Sequence, residues 1–192
     1  MEQGLTMIYW GYGKGKSTAA IGMALRALGQ GKRVLFLQFM KGGKEAGWET
    51  GEGKMFKELQ NHRKGDTKST EIGTLEFRVV GKGWVRILGD QKPIEDHEEA
   101  ARDGLAFAQE QMVSGKWDVV VLDEILSAVD SVLLSVENIQ DLIRAKPSET
   151  HLLMTGHNKY PELAGMADLV TNMEKVKHPY DKGVLAQRGV DF

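Results

Sequence analysis

The residues between Leu5 and Leu28 constrain this chain more than any other stretch. An apolar run (Leu5, Met7, Ile8, Tyr9, Trp10) leads straight into Gly11-Tyr12-Gly13-Lys14-Gly15-Lys16-Ser17-Thr18, and a segment with helical periodicity follows. Strand, glycine-rich turn and helix in that order build a phosphate-binding loop. Glycines let the backbone curl until several N–H groups face one oxyanion. The helix N-terminus adds unpaired N–H groups and the positive end of its dipole. In this pattern Lys16 reaches the outer phosphates and the Ser17 hydroxyl ligates Mg²⁺. The strict pattern also asks for a glycine five positions before Gly15, where this chain has Trp10. The first glycine is Gly11, so the loop is one residue short. The competing reading is a plain glycine-rich turn with a surface lysine, and the position of Gly15-Lys16-Ser17 at a strand–helix junction disfavours it.

A second constellation supports the first. Trp117-Asp118-Val119-Val120-Val121-Leu122-Asp123-Glu124 is an apolar strand that delivers two carboxylates at its C-terminal end. In parallel sheets the ligand crevice lies at those ends. One carboxylate there can hold Mg²⁺ directly or through water, and the ion neutralises phosphate charge. Two readings of the pair stay open at this level. Glu124 positions a water for hydrolysis, or, if the nucleophile is not water, both carboxylates serve the metal.

The alternation of elements predicts an α/β fold, P-loop NTPase-like, with three layers and a mostly parallel central sheet in a single domain over residues 1–192. Strands are expected at 5–10, 34–39, 75–80, 118–122, 151–154 and 169–172. Helices are expected at 17–28 (Ile21, Ala24, Leu25 and Leu28 inward) and 94–113 (Ala101, Leu105, Ala108 and Met112 on one face). Two more are expected at 128–134 and 136–145, the last capped by Ser135. Residues 41–74 are polar and rich in Gly and Lys, and read as a long loop with a short helix about 55–59. Residues 81–92 read as a loop carrying Trp84.

Composition narrows the function classes. The chain has 192 residues, 25 Lys and Arg against 27 Asp and Glu, and a net charge of −2. No basic excess points to nucleic acid. There is no cysteine, which excludes disulfides, thiolate metal sites and thiol nucleophiles. No signal peptide or membrane span is read at the start, so the expected compartment is the cytoplasm.

Residues beyond the loop then carry a resemblance. They are Gly11 to Thr18 with Ala19-Ala20, Arg26-Ala27-Leu28-Gly29, Gln38-Phe39-Met40-Lys41-Gly42, Val121-Leu122-Asp123-Glu124, Thr155-Gly156 and Ala167-Asp168-Leu169-Val170. The tail from Lys177-His178-Pro179-Tyr180 through Gly183 and Ala186-Gln187-Arg188-Gly189-Val190-Asp191-Phe192 matches best. In these stretches the chain resembles the ATP:corrinoid adenosyltransferases, whose form of the loop is also short. The resemblance implies a mixed sheet of five or six strands. It also implies transfer of adenosyl from ATP to Co(I) of a corrinoid, of the cob(I)yrinic acid a,c-diamide type, with triphosphate leaving.

The site residues expected on this basis follow. ATP meets Gly11, Tyr12, Gly13, Lys14, Gly15, Lys16, Ser17, Thr18 and Lys41, with Lys14 and Lys41 equally readable as solvated lysines. Lys16 and Glu124 carry the catalytic roles. Ser17 and Glu124 hold Mg²⁺, with Asp123 in contact with the ion or behind it. Trp84 presses on the lower face of the corrin. An electron-donating reductase and a homodimer complete the expected partners. The chain departs from the family pattern at Trp10 and Tyr12 in the loop, at Arg86 in Gly83-Trp84-Val85-Arg86, and at His157, where the family has arginine. Many members carry an N-terminal helical extension, and here four residues, Met1-Glu2-Gln3-Gly4, precede the first strand. The competing functions are a P-loop ATPase or kinase of other specificity and a non-catalytic, nucleotide-gated corrinoid carrier.

Overall fold

The computed structural model describes residues 3–40, 50–65, 72–83, 85 and 90–191. Lys41, Trp84 and Arg86 lie outside these. In chain order the elements are β1 (Thr6–Trp10), α1 (Lys16–Gly29), β2 (Val34–Gln38), α2 (Gly51–Gly65), β3 (Leu75–Val79), α3 (Ile94–Val113), β4 (Val119–Asp123), α4 (Ile125–Asp130), α5 (Val136–Ala145), β5 (His151–Thr155), α6 (Pro161–Ala164) and β6 (Leu169–Asn172), then a 3₁₀ turn, Pro179–Lys182.

Side chains alternate across each strand, and this splits the core in two. Met7, Val34, Phe36, Val119, Val121 and Leu153 face one side, against Ala20, Ala24 and Leu28 of α1 and Phe56 of α2. Ile8, Leu35, Leu37, Val120, Leu122, Leu152 and Met154 face the other, against α3, α4 and α5. Central strands apolar on both faces are the signature of a covered parallel sheet. The sheet has six strands in the order β3-β2-β4-β5-β1-β6. All the pairings are parallel, which corrects the expected mixed sheet. Register places Gln38 opposite Asp123 and Tyr9 opposite Thr155, so the C-terminal ends of β1, β2, β4 and β5 share one edge. No helix among the described residues is long and apolar enough to cross a membrane.

Several expectations change in detail. In α1 the buried stripe is Ala20, Ala24 and Leu28, while Leu25 remains 47% exposed. Part of the expected 41–74 loop is α2, much longer than the short helix expected there. Gly53 N–H donates to Thr50 Oγ1 (3.1 Å) at its start. Phe56 pins it by packing on Phe36 (ring centroids 5.2 Å apart) and Phe77 (5.4 Å). Helix α3 has the expected bounds and buries Ala101, Leu105, Ala108 and Met112. Ser135 caps α5 in a reciprocal capping box with Asn138.

The expected helix at 128–134 instead ends at Asp130. Leu133 N–H bonds to Ala128 O (2.9 Å) and Val132 N–H to Val129 O (3.0 Å), a Schellman ending. The left-handed position of such an ending usually holds glycine, and here it holds Val132 at φ 61. The turn drives Leu133 and Leu134 into the core and leaves Val132 84% exposed. A β-branched residue is strained there. Val132→Gly is therefore expected to raise stability by about 1 kcal/mol despite the entropy that glycine adds to the unfolded chain. Chemical denaturation of the two proteins measures it, and an equal or lower midpoint for the variant would show the turn to be unstrained.

Candidate functional site

β1 ends at Trp10, whose ring is buried in the core, and the chain turns at Gly11 with φ 107. That explains the short loop: the position where a glycine was missing is still strand. Gly15, at φ 114, reverses the chain again and starts α1. No side chain caps this helix, so its first N–H groups remain open to an anion. Distant backbone braces the loop. Gly11 N–H donates to His157 O (2.9 Å) and Gly13 N–H to Met173 O (2.7 Å). A side chain at Gly13 would meet Glu174 O at 2.6 Å, so only glycine fits between loop and brace.

Lys16 is 6% exposed and folds back over the loop. Its Nζ donates to Gly11 O (2.7 Å) and Gly13 O (2.9 Å). Burial lowers its pKa, while Glu124 and Asp123 act the other way. A cleft of about 420 Å³ lies in front of it, lined by Lys14, Gly15, Lys16, Ser17, Thr18 and Glu124 among others.

The two carboxylates divide. Asp123 is fully buried, accepting from Thr155 Oγ1 (2.8 Å) and, more weakly, from Gln38 Nε2 (3.4 Å). It stands behind the cleft. Glu124 lines it, at φ 62, a left-handed conformation that glutamate rarely adopts. Its N–H donates to Thr155 Oγ1 (2.8 Å), and Ser127 Oγ donates to its Oε2. Burial, then the neighbouring Asp123 charge, push the Glu124 carboxyl up from the ordinary range. Among the described residues no cluster of three or more His, Asp or Glu side chains forms a metal cage. Mg²⁺ does not need one, because it keeps waters and takes one or two carboxylates plus substrate phosphates. Ser17 and Glu124, which line the same cleft, fit that kind of ion.

Two other expected residues are held by other partners. Lys14 points to the tail, pairing with Asp191 and donating to Val190 O (2.8 Å). Tyr12, 70% exposed, lines a second cleft and donates to Asn158 Oδ1. That cleft, of about 270 Å³, is bounded by Tyr12, Met40 and Val85, by Ser127, Asp130 and Ser131, and by His157 and Asn158. The His157 ring lies 6.1 Å from that of Tyr12, and its Nδ1 is 3.0 Å from Ser127 Oγ.

Sequence reasoning missed Ser127, Thr155, Asn158 and Glu52 as site residues, as well as the tail as a wall. Gly51, Glu52, Gly189, Val190 and Asp191 also line the first cleft. The cue for Glu52 was Thr50 before a run holding Phe56, a helix start inside a stretch that composition marks as loop. For the tail the cue was the strength of its family match.

Comparison with known proteins agrees with the geometry. The family model described as ATP:corrinoid adenosyltransferase BtuR/CobO/CobP matches residues 2–192. A corrinoid adenosyltransferase of Escherichia coli (strain K12) is 31% identical over 191 residues, covering 100% of this chain and 87% of the relative. One from Pseudomonas aeruginosa is 32% identical, covering 100% and 85%. One from Sinorhizobium sp. is 35% identical, covering 100% and 81%. Among solved structures, the RadB recombinase superposes with a TM-score of 0.51 at 13% identity, covering 93% of this chain and 78% of that one. This last likeness concerns the P-loop fold alone.

Proposed function

The chain belongs to the ATP:corrinoid adenosyltransferase family, and on that premise we propose that it transfers the 5′-deoxyadenosyl group of ATP to Co(I) of a corrinoid. The cobalt electron pair forms the bond to C5′. The C5′–O bond breaks, and its pair leaves with the triphosphate. The observation that carries this reading is the position of the family's tail: Gly189, Val190 and Asp191 line the same cleft as Lys16, Ser17 and Glu124.

The loop's task is then to stabilise a leaving triphosphate. Backbone N–H groups from Lys14 to Thr18 and the Lys16 amine oppose the developing charge, while the Gly13 N–H stays with its Met173 brace. Lys16 must first release Gly11 O and Gly13 O, and phosphate oxygens replace them. Lys14 serves the phosphates by exchanging Asp191 for them. Bound Mg²⁺, held by Ser17 and Glu124, would neutralise further phosphate charge. Asp123 fixes Thr155, which holds the Glu124 backbone. Trp84 is assigned to the lower face of the corrin, where an aromatic ring excludes an axial ligand, and Lys41 to the phosphates. The corrinoid is a cobalamin-type molecule or its cobyrinic acid a,c-diamide precursor. A cytoplasmic homodimer receiving electrons from a reductase is the setting.

Product analysis tests the proposal. Protein, Mg-ATP and chemically reduced cobalamin are incubated without oxygen. Triphosphate and adenosylcobalamin in equal amounts are expected. ADP and phosphate formed without regard to corrinoid would make the chain an ATPase, and binding without turnover would make it a carrier.

A further inference from the structure

The second cleft is not used by the phosphate chemistry, and its walls have a definite character. Its described lining residues are Tyr12, Met40, Val85, Ser127, Asp130, Ser131, His157 and Asn158, and among these none is Lys or Arg and Asp130 is the one carboxylate. Asp130 is held in place: Tyr160 Oη donates to its Oδ1, and Asn158 N–H approaches Oδ2 at 3.4 Å. Burial and this carboxylate push the Tyr160 phenol well above its ordinary range, so it stays a donor. Asn158 Oδ1 is taken by Tyr12.

His157 adds an acceptor. A serine hydroxyl has one proton, and Ser127 gives its proton to Glu124. Toward His157 Nδ1, 3.0 Å away, Ser127 therefore accepts. This sets the neutral ring as the Nδ1–H tautomer with its lone pair on Nε2. The wall thus presents a carboxylate and, on the neutral ring, an imidazole lone pair. Such a surface welcomes uncharged N–H donors and repels carboxylates.

Position says which donor arrives. The cleft is assembled from the C-terminal side of β1, β2, β4 and β5 and from Val85, next in sequence to Trp84. Triphosphate on Gly13 to Thr18 leaves this neighbouring side for the reacting partner. Resting on the adenosyltransferase reading, we propose that the Asp130–His157 cleft is a subsite for a primary carboxamide arm of the corrin rim. The chain therefore selects amidated corrinoids over those with free carboxylate arms. Of the two candidate substrates, this favours the fully amidated one over the a,c-diamide, most of whose arms are acids. The exocyclic amine of adenine has the same donor chemistry, and the test separates the two.

Binding is measured by quenching of tryptophan fluorescence, which needs no turnover. The probes are cobinamide, whose rim is fully amidated, and cobyrinic acid a,c-diamide, each with Mg-ATP. The wild-type protein is expected to bind cobinamide about tenfold more tightly, the size of one like-charge contact near a protein surface. Asp130→Asn should bring the ratio close to one. Ser131→Asp adds a charge to the same wall without removing a bond. It should widen the ratio, and it serves if Asp130→Asn does not fold. The preference for ATP over its 6-oxo analogue, ITP, should be unchanged in both variants. Equal affinity of the wild type for both corrinoids overturns the inference, as does a ratio that neither variant moves. A change in ATP-over-ITP preference alone assigns the cleft to the purine and also overturns it. Failure of the wild type to bind either corrinoid overturns the adenosyltransferase reading itself.

Discussion

Lys16→Ala is expected to cut the rate of adenosyl transfer severely while the protein stays folded. The Lys16 amine is the one charge aimed into the loop from within it, held at 2.7 and 2.9 Å from two of the loop's carbonyls. Burial works against its charge, and the carboxylates of Glu124 and Asp123 sustain it. A cation kept out of water acts strongly on an arriving phosphate, because little solvent must be displaced when charge develops. Its loss should cost about 100-fold in rate, ~3 kcal/mol. The fold should survive, since Lys16 lines an open cleft and its truncation lets water reach the two carbonyls from that side. Lys16→Arg should not rescue, as a planar guanidinium does not fit a site shaped for a compact ammonium. Single-turnover rates and thermal melts measured side by side check this. A near-normal rate in a folded Lys16→Ala protein would remove the loop from the mechanism.

With Glu124 as the proposed Mg²⁺ ligand, Glu124→Gln should raise the Mg²⁺ concentration needed for half-maximal activity by about tenfold or more, because a carboxylate would be replaced by a weak amide ligand. ATP binding in the absence of metal should change little. Stability gives a second readout. Burial and Asp123 raise the Glu124 carboxyl above its unfolded value. A group of this kind favours the folded state fully at pH below its unfolded pKa. That contribution is lost as pH rises through the folded pKa. The metal-free wild type should therefore lose stability as pH rises from the ordinary carboxylate range until Glu124 has ionised. Glu124→Gln has no proton to lose there and should decline less. Coincident Mg²⁺ curves for the two proteins would show that Glu124 is not a ligand. Parallel pH profiles would show that it does not carry the buried charge.

Local patterns made much of this architecture readable. The loop announced itself because glycine and lysine spacing is a local code. So did α3, with its apolar residues at helical spacing, and Ser135, whose capping partner Asn138 is three residues away. Most of the pieces that were missed are held by distant contacts. Helix α2 has a polar sequence opened by Gly51 and Gly53, and it exists because Phe56 fills a space between Phe36 and Phe77. α4 stops early because Val132 takes a conformation that its side chain resists. The Ser127–His157–Glu124 chain joins the ends of β4 and β5, so no spacing along the sequence could reveal it. The pairing of Lys14 with Asp191 spans almost the whole chain.

The position of β1 between β5 and β6 has a consequence in time. Leu5 N–H bonds to His151, 146 residues onward, and Thr6 N–H to Asp168, 162 onward. Gly13 waits for Met173. As the chain leaves the ribosome, the strand that carries the glycine loop emerges well before both of its neighbours, β5 and β6, and pairs late. Pairings so far apart in sequence form slowly, because the intervening chain must be ordered before they repay its entropy. Throughout synthesis the first strand is an unpaired apolar edge, and the loop has its sequence without its shape. Ability to hold a nucleotide should therefore appear late in refolding, after the β2–β4 half of the sheet has already become protected from hydrogen exchange.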